Sequence, residues 1–348
     1  MSAGDTARYD ASAIVVLSGL ESVRHRAEWY VGPLDERGRD RLALNAVEEA
    51  ANEILLGRGS RTDVTLLTDG RVRVEHDAVH ASPLEQELTL LRAGCGPGDR
   101  RLVGRDSSGL AVLSALSERL VAVERRDGVT VRHTYARGEQ TLAPTVTGPA
   151  DRTSTTLTFR PDPEIFGPTA PTSFDTLAER LRELAFLNRE LDFTLTGDGR
   201  SARFHSPGGL REFVAHLGGD PGDTVLLTGV DERIGADCAV AFSRSGAGGL
   251  RGYANSVRTP AGTHLEGFRD GLHAALLPYA GCHALRGALA ALSGVVAVRL
   301  DLLRLRGPGR DRLAEDPVRD LVATAVRSAL ERRFAEHPER ATELLRPR

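Results

Sequence analysis

Residues 39–76, RDRLALNAVEEAANEILLGRGSRTDVTLLTDGRVRVEH, change their hydrophobic period part-way along. Over 39–56 the apolar residues Leu42, Leu44, Val47, Ala51 and Leu55 fall on one side of a helix. Over 62–67 and 71–75 the spacing is that of strands, and Asp69-Gly70 between them is a two-residue hairpin turn. A helix feeding a hairpin predicts mixed architecture, α/β or α+β, rather than a helical bundle. Working outward, 20–30 reads as a helix and 94–106 as a glycine- and arginine-rich loop. A helix over 109–120, a strand over 121–124, a turn at Asp127-Gly128 and a strand over 129–134 follow. A strand over 155–159 is stopped by Pro161 and Pro163, and 174–188 is a helix with Leu177, Leu181, Leu184 and Leu187 on one face. The stretch 218–222, Gly-Gly-Asp-Pro-Gly, reads as a linker. Beyond it come strands near 225–227 and 236–243, a glycine-rich turn at 246–249, a helix over 267–277, a strand over 295–303 and a closing helix over 317–334.

Length and composition bound the function. The chain has 348 residues, 41% of them hydrophobic, enough for about two domains with real cores. Its net charge of −3 argues against a protein built to coat nucleic acid, and the mild arginine excess after Val295 reads as a solvated helix face. All 45 basic residues are arginines, which excludes a Schiff-base lysine or a phosphate-loop lysine. Cys95, Cys238 and Cys282 form no paired motif, so neither a disulfide framework nor a zinc site is expected and a reducing cytoplasm is the default. No run approaches the roughly 18 apolar residues of a membrane span, and the first ten residues, with Asp5, Arg8 and Asp10, do not form a targeting signal.

Several segments carry a resemblance. Residues 9–14, Tyr-Asp-Ala-Ser-Ala-Ile, look like a dimerising arm, and 19–26 followed by Trp29-Tyr30-Val31-Gly32 look like the first helix of the same family. Residues 115–120, 159–166 and 181–188 are similar to its scaffold, and Ala254-Asn255-Ser256 with 262–268, Gly-Thr-His-Leu-Glu-Gly-Phe, to its second domain. The match runs nearly end to end and resembles the amino-terminal half of DNA gyrase B. The resemblance implies an α+β protein: a GHKL-type (Bergerat) α/β sandwich over 1–220, then a transducer domain with a ribosomal-protein-S5-domain-2-like fold over 221–348, with no TOPRIM cleavage domain.

In that family ATP hydrolysis implies a glutamate base and, one helical turn on, an asparagine holding Mg²⁺. Carried across without gaps, these positions are Asn45, which cannot accept a proton at neutral pH, and Glu49, which adds negative charge facing a triphosphate. An alternative register keeps the pattern, with Glu48 as base and Asn52 as metal ligand. The plainest view of Glu48, Glu49, Asn52 and Glu53 is a solvated helix face. The adenine-reading aspartate becomes His76, and the glycines after it are lost. A bulge could bring in Asp77, although strand alternation puts Asp77 on the opposite face from His76. The phosphate lid keeps Gly104 and Gly109 but holds Arg105, Asp106, Ser107 and Ser108, which read equally well as a helix cap. Thr155 and Tyr9 match family residues near the nucleotide and in the arm, while the transducer lysine is replaced within Arg310-Asp311-Arg312-Leu313.

Three readings follow. The leading one is a gyrase-B-like pseudo-enzyme that binds ATP and Mg²⁺ poorly, hydrolyses slowly or not at all, and acts as a homodimer through its arm or by docking on a gyrase A-like or cleavage-domain subunit. The second is a working topoisomerase-type ATPase using Glu48 and Asn52. The third is a pocket redeployed for another small molecule, in which His76, Asp77, His80, Arg105, Asp106, Ser107, Asn45 and Glu49 form a polar cleft whose histidines suit acid–base chemistry. His76-Asp77-x-x-His80 is also a metal-ligand pattern, too weak alone for a metal to be expected.

Overall fold

The computed structural model describes residues 19–78, 80, 82–91, 103–104, 109–168, 171–244, 249–279, 289–307, 309 and 311–345. The chain opens with two short helices, α1 (Glu21–His25) and α2 (Glu28–Val31), where one was expected. Val23, Ala27 and Val31 still share a buried face across the break at Arg26. The long helix α3 (Glu36–Leu55) is capped by Asp35, whose carboxylate accepts from the Arg37 N–H at 2.9 Å. The hairpin β1 (Thr62–Leu66) and β2 (Val72–His76) closes at Asp69-Gly70, with Gly70 at φ 81°.

Helices α4 (Leu84–Thr89) and α5 (Gly109–Ala115) precede three consecutive antiparallel strands, β3 (Ser117–Arg126), β4 (Val129–Ala136) and β5 (Glu139–Pro149). The helix stops earlier than the sequence suggests because the Ser117 hydroxyl donates back to the Leu113 carbonyl at 2.6 Å, and a bulge between Ser117 and Arg119 starts the strand there. Strand β5 has no counterpart in the sequence reading, since nearly all of it is exposed and no face alternates. Strand β6 (Ser154–Pro161), helices α6 (Pro163–Phe166) and α7 (Phe174–Leu187), and the hairpin β7 (Asp192–Gly197) and β8 (Arg200–His205) complete one eight-stranded sheet, ordered β5-β4-β3-β6-β2-β1-β7-β8. Among the described residues of this sheet, only β1 and β7 pair in parallel. Helices α3, α5 and α7 bury one face of this sheet through Leu42, Leu113, Leu157, Phe159, Leu181 and Phe193.

Helix α8 (Leu210–His216) packs Leu210, Phe213 and Val214 against Ala241, Tyr253 and Val295 of the following sheet. The glycine run after it is not extended. Gly218 at φ 82° donates to the Ala215 carbonyl at 2.9 Å, which ends the helix and keeps the turn beside it. The five-stranded sheet has the order β12-β11-β14-β10-β9, from β9 (Val225–Asp231), β10 (Ala236–Arg244), β11 (Leu250–Ala254), β12 (Val257–Arg258) and β14 (Leu292–Leu300). A small sheet joins β13 (Ala261–Gly262), β15 (Leu305–Arg306) and β16 (Arg312–Leu313). Helices α9 (Thr263–Leu276), α10 (Asp316–Glu336) and α11 (Pro338–Leu345) lie across the face formed by Cys238, Val240, Phe242, Val296 and Val298. Alternation along β10 and β14 therefore feeds two cores, one under α9 and α10 and the other under α8. No helix among the described residues is long and apolar enough to cross a membrane.

Candidate functional site

Glu48 and Asn52 of α3 do not lie on a solvated face. Glu48 is 3% exposed, with its carboxylate held between two arginines. Arg180 on α7 donates through Nη2 to Oε1 at 2.8 Å, and Arg41, two turns back on α3, donates through Nη2 to Oε2 at 2.8 Å. Burial alone would raise this carboxyl; the two guanidinium charges outweigh it and hold Glu48 down to about 2. Arg180 also donates to the Ser256 carbonyl at 2.9 Å, which ties the clamp to the second sheet. A carboxylate so engaged would have to leave at least one of these arginines to take a proton from water.

Asn52, one turn on, is equally committed. Its Nδ2 donates to the Val103 carbonyl at 2.9 Å, and its Oδ1 accepts from the Val103 N–H at 2.9 Å. The Gly104 N–H, with Gly104 at φ 104°, then donates to the Asn255 carbonyl at 3.2 Å. Asn255 and Ser256 form the left-handed two-residue turn between β11 and β12, at φ 47° and 58°. Asn45 and Glu49, four residues apart on α3, are half-buried. The charge of Glu49 is among those felt by His80.

His76 ends β2, with its main chain directly opposite Thr155 of β6 and Thr62 of β1. Its ring is 2% exposed, and Nδ1 has no hydrogen-bond partner among the described residues. Burial, reinforced by the charge of His80, pushes His76 down to about 3, so the ring is neutral at physiological pH. Asp77 points elsewhere, accepting from the Ser60 N–H at 2.7 Å, the Ser60 hydroxyl at 2.5 Å and the Arg61 N–H at 2.9 Å. It closes the loop before β1 and does not join His76.

His80 does join it. The two rings stand edge-on with centroids 5.2 Å apart. His80 is 2% exposed; its Nδ1 meets Glu87 Oε2 at 2.8 Å, and its Nε2 has no partner among the described residues. Burial lowers its basicity, but the hydrogen bond and charge of Glu87, with the charges of Glu53 and Glu49, prevail and raise it. Glu53, His80 and Glu87 each place one donor atom within 4.8 Å of the others, the only such group among the described residues.

Gly109, at φ 58°, opens α5, and Thr155 is buried. Tyr9, Arg105, Asp106, Ser107, Ser108 and Arg310 lie outside the described residues. Arg312 pairs with Glu266 at 3.1 Å. The sequence reading overlooked Arg41, Arg180 and Glu87. Arg41 and Glu48 are two helical turns apart and could have been paired from spacing, but no local pattern announces Arg180, 132 residues from Glu48.

Comparison with known proteins decides the family. A family model described as DNA gyrase B matches residues 209–347. The novobiocin-resistant DNA gyrase B protein of Streptomyces niveus is 33% identical over 390 aligned residues, covering 98% of this chain and 58% of its own length. The chain belongs to the DNA gyrase B family. It corresponds to the N-terminal half: the type 2 topoisomerase B protein of Aquifex aeolicus is 33% identical over 77% of the chain and 36% of its own length. The 43K ATPase domain of Thermus thermophilus gyrase B, solved with an aminocoumarin, aligns at TM-score 0.77 and 28% identity, covering 93% of this chain and 92% of that domain. The gyrase B structure from Myxococcus xanthus shares the fold at TM-score 0.81 with 22% identity, covering 94% of this chain and 99% of that one. The α+β architecture is thus that of the family's ATPase domain followed by its transducer. The chain spans 58% of the length of the Streptomyces niveus relative.

Proposed function

We propose that this chain is a gyrase-B-type module whose nucleotide site has been converted from hydrolysis to architecture, a pseudo-ATPase that dimerises or docks on a gyrase A-like or cleavage-domain subunit. The observation that carries the reading is the Arg41–Glu48–Arg180 clamp. Glu48 is the acid of helix α3 with an asparagine, Asn52, one turn on, and it is buried in a two-arginine ion pair. Asn52, its partner in that register, spends its amide on the Val103 backbone. In the gapless register the base position is Asn45 and the metal position is Glu49, a pair with the wrong chemistry for Mg²⁺-ATP. His76, opposite Thr155 where an adenine-reading carboxylate is wanted, is neutral and buried.

The test is phosphate release from purified protein with and without Mg²⁺, alongside thermal unfolding with a non-hydrolysable ATP analogue. No release above a heat-killed control and no ligand-dependent stabilisation are expected. Stabilisation of about 2.7 kcal/mol at a hundredfold excess over the dissociation constant, with hydrolysis lost in Glu48→Ala, would restore the working ATPase. Sedimentation of the full chain, alone and with a gyrase A-like subunit, tests the assembly.

A further inference from the structure

We propose that Glu53, His80 and Glu87 form a binding site for a divalent first-row transition-metal ion of the Zn²⁺ type, with a ligand set different from the asparagine that the family's Mg²⁺-nucleotide position implies. The inference stands whether or not the chain turns over ATP.

Three separate elements converge there: Glu53 from the last turn of α3, His80 from the segment leaving β2, and Glu87 from α4. One imidazole nitrogen and two carboxylate oxygens lie within 4.8 Å of one another. Donors on a tetrahedral Zn²⁺ at about 2.1 Å stand about 3.4 Å apart, so side-chain movements of about an ångström close the set. The residue types favour the same ion class. An imidazole with carboxylates suits zinc and its neighbours, whereas Mg²⁺ takes an octahedron of oxygens and keeps its waters.

A bland ion pair does not account for the whole arrangement. His80 is buried with its Nε2 unpartnered, and the neighbouring His76, ring to ring at 5.2 Å, holds a second buried nitrogen, Nδ1, with no partner among the described residues. Two buried imidazoles each leaving a nitrogen unsatisfied is a costly arrangement for a site meant only to pack. Glu87 Oε2 already faces His80 Nδ1 at 2.8 Å, so an ion bound between them would replace the proton they now share, and its binding would be linked to loss of that proton. Arg58 holds one oxygen of Glu53 at 2.7 Å and fixes that side chain. Glu49 adds its charge to the same region and strengthens its pull on a cation.

The experiment uses the full chain freed of metal with a chelator. Calorimetric titration with Zn²⁺ is expected to show one equivalent bound in wild type, with Mg²⁺ showing none. Co²⁺ loaded in its place is expected to give the intense visible absorption of a low-coordinate nitrogen–oxygen site. Glu53→Gln and His80→Gln are each expected to weaken Zn²⁺ binding at least tenfold and to abolish the cobalt bands. Unfolding temperatures of both variants and wild type, measured in chelator, separate lost ligation from lost folding, since Glu53→Gln also loses its ion pair with Arg58. Zn²⁺ affinity unchanged in both variants would overturn the proposal, as would a near-ultraviolet thiolate-to-cobalt band placing the ion on a cysteine.

Discussion

Replacing Glu48 by glutamine keeps the shape of the side chain and removes the charge that two arginines share. The size of the effect follows from the clamp. A carboxyl held at about 2 instead of its ordinary 4.5 contributes the difference of 2.5 pKa units, about 3 kcal/mol of stability at neutral pH. Removing one partner of a buried ion pair costs about 3 to 5 kcal/mol by an independent route, an upper figure here because Arg180, 13% exposed, keeps a longer 3.7 Å contact with Glu183. For a unit the size of the first sheet and its helices, about 3 kcal/mol lowers the unfolding temperature by about 6 to 12 °C. The pH dependence has a definite sign. The folded pKa lies below the unfolded one, so this stabilisation is complete above about pH 4.5 and is lost as the pH falls toward 2. Calorimetry of wild type and Glu48→Gln from pH 7 to 3 should therefore show a gap that is widest at pH 7 and narrows steadily below pH 4.5. A variant within about 1 kcal/mol of wild type at pH 7, or a gap that does not change with pH, would refute the clamp as described.

Other groups give further tests. His76 and His264 are both buried and neutral, pushed down to about 3 and about 4. Each unfolded imidazole regains its proton below about pH 6.5, so each such histidine makes stability fall by about 1.4 kcal/mol per pH unit, and His76→Gln should take about that much off the slope between about pH 6 and 5 in urea titrations. His80 has the opposite sign: with its basicity raised, its contribution is present below about pH 6.5 and is lost as the pH rises through its folded value. Asn52→Ala strands the buried amide and carbonyl of Val103 and should cost about 2 to 3 kcal/mol, with faster hydrogen exchange at the Val103 amide. At Asn255, which is left-handed and bonded both ways to Leu300, alanine should destabilise by about 1 kcal/mol more than glycine, because both lose the hydrogen bonds and only alanine strains the turn.

The architecture was legible wherever local period and turn chemistry agreed. The helix expected over 39–56 runs Glu36–Leu55, and the hairpin at Asp69-Gly70 has the expected strands. Strand β5 was invisible because it is exposed on both faces and lacks alternation, and the start of β3 was missed because the serine that stops α5 bonds to a carbonyl behind it. The site was legible only in part. Alternation put Asp77 and His76 on opposite faces, and the structure has Asp77 capping the Ser60-Arg61 turn while His76 is buried in the sheet. The charges of α3 misled because a run of Glu, Asn and Arg looks the same on a solvated face and in a buried network; only contacts across the chain, Arg180 and Val103, tell the two apart.

The two halves of the molecule meet where α3 carries these residues, and this limits what they can do. Glu48 reaches the Asn255-Ser256 turn through Arg180, and Asn52 reaches it through the backbone of Val103 and Gly104. Asn188 and Arg299 brace the same turn, with Asn188 Nδ2 donating to the Ser256 hydroxyl at 3.1 Å and Arg299 donating to Asn188 Oδ1 at 3.0 Å. A hydrolytic site on this helix needs its acid and amide free to follow a changing phosphate, with donors and acceptors that exchange partners within each turnover. Residues that hold a left-handed turn in the neighbouring sheet are favoured to keep their partners, since releasing Glu48 would take from Arg41 its ion-pair partner and leave Arg180 with only the longer 3.7 Å pair to Glu183, and releasing Asn52 would strand a buried peptide unit. Hydrolysis through these atoms would require both sets of contacts to exchange in each turnover. Any ligand that did recruit Glu48 or Asn52 would therefore have to loosen the joint between the sheets, and its binding would be read first as lost stability in the second sheet.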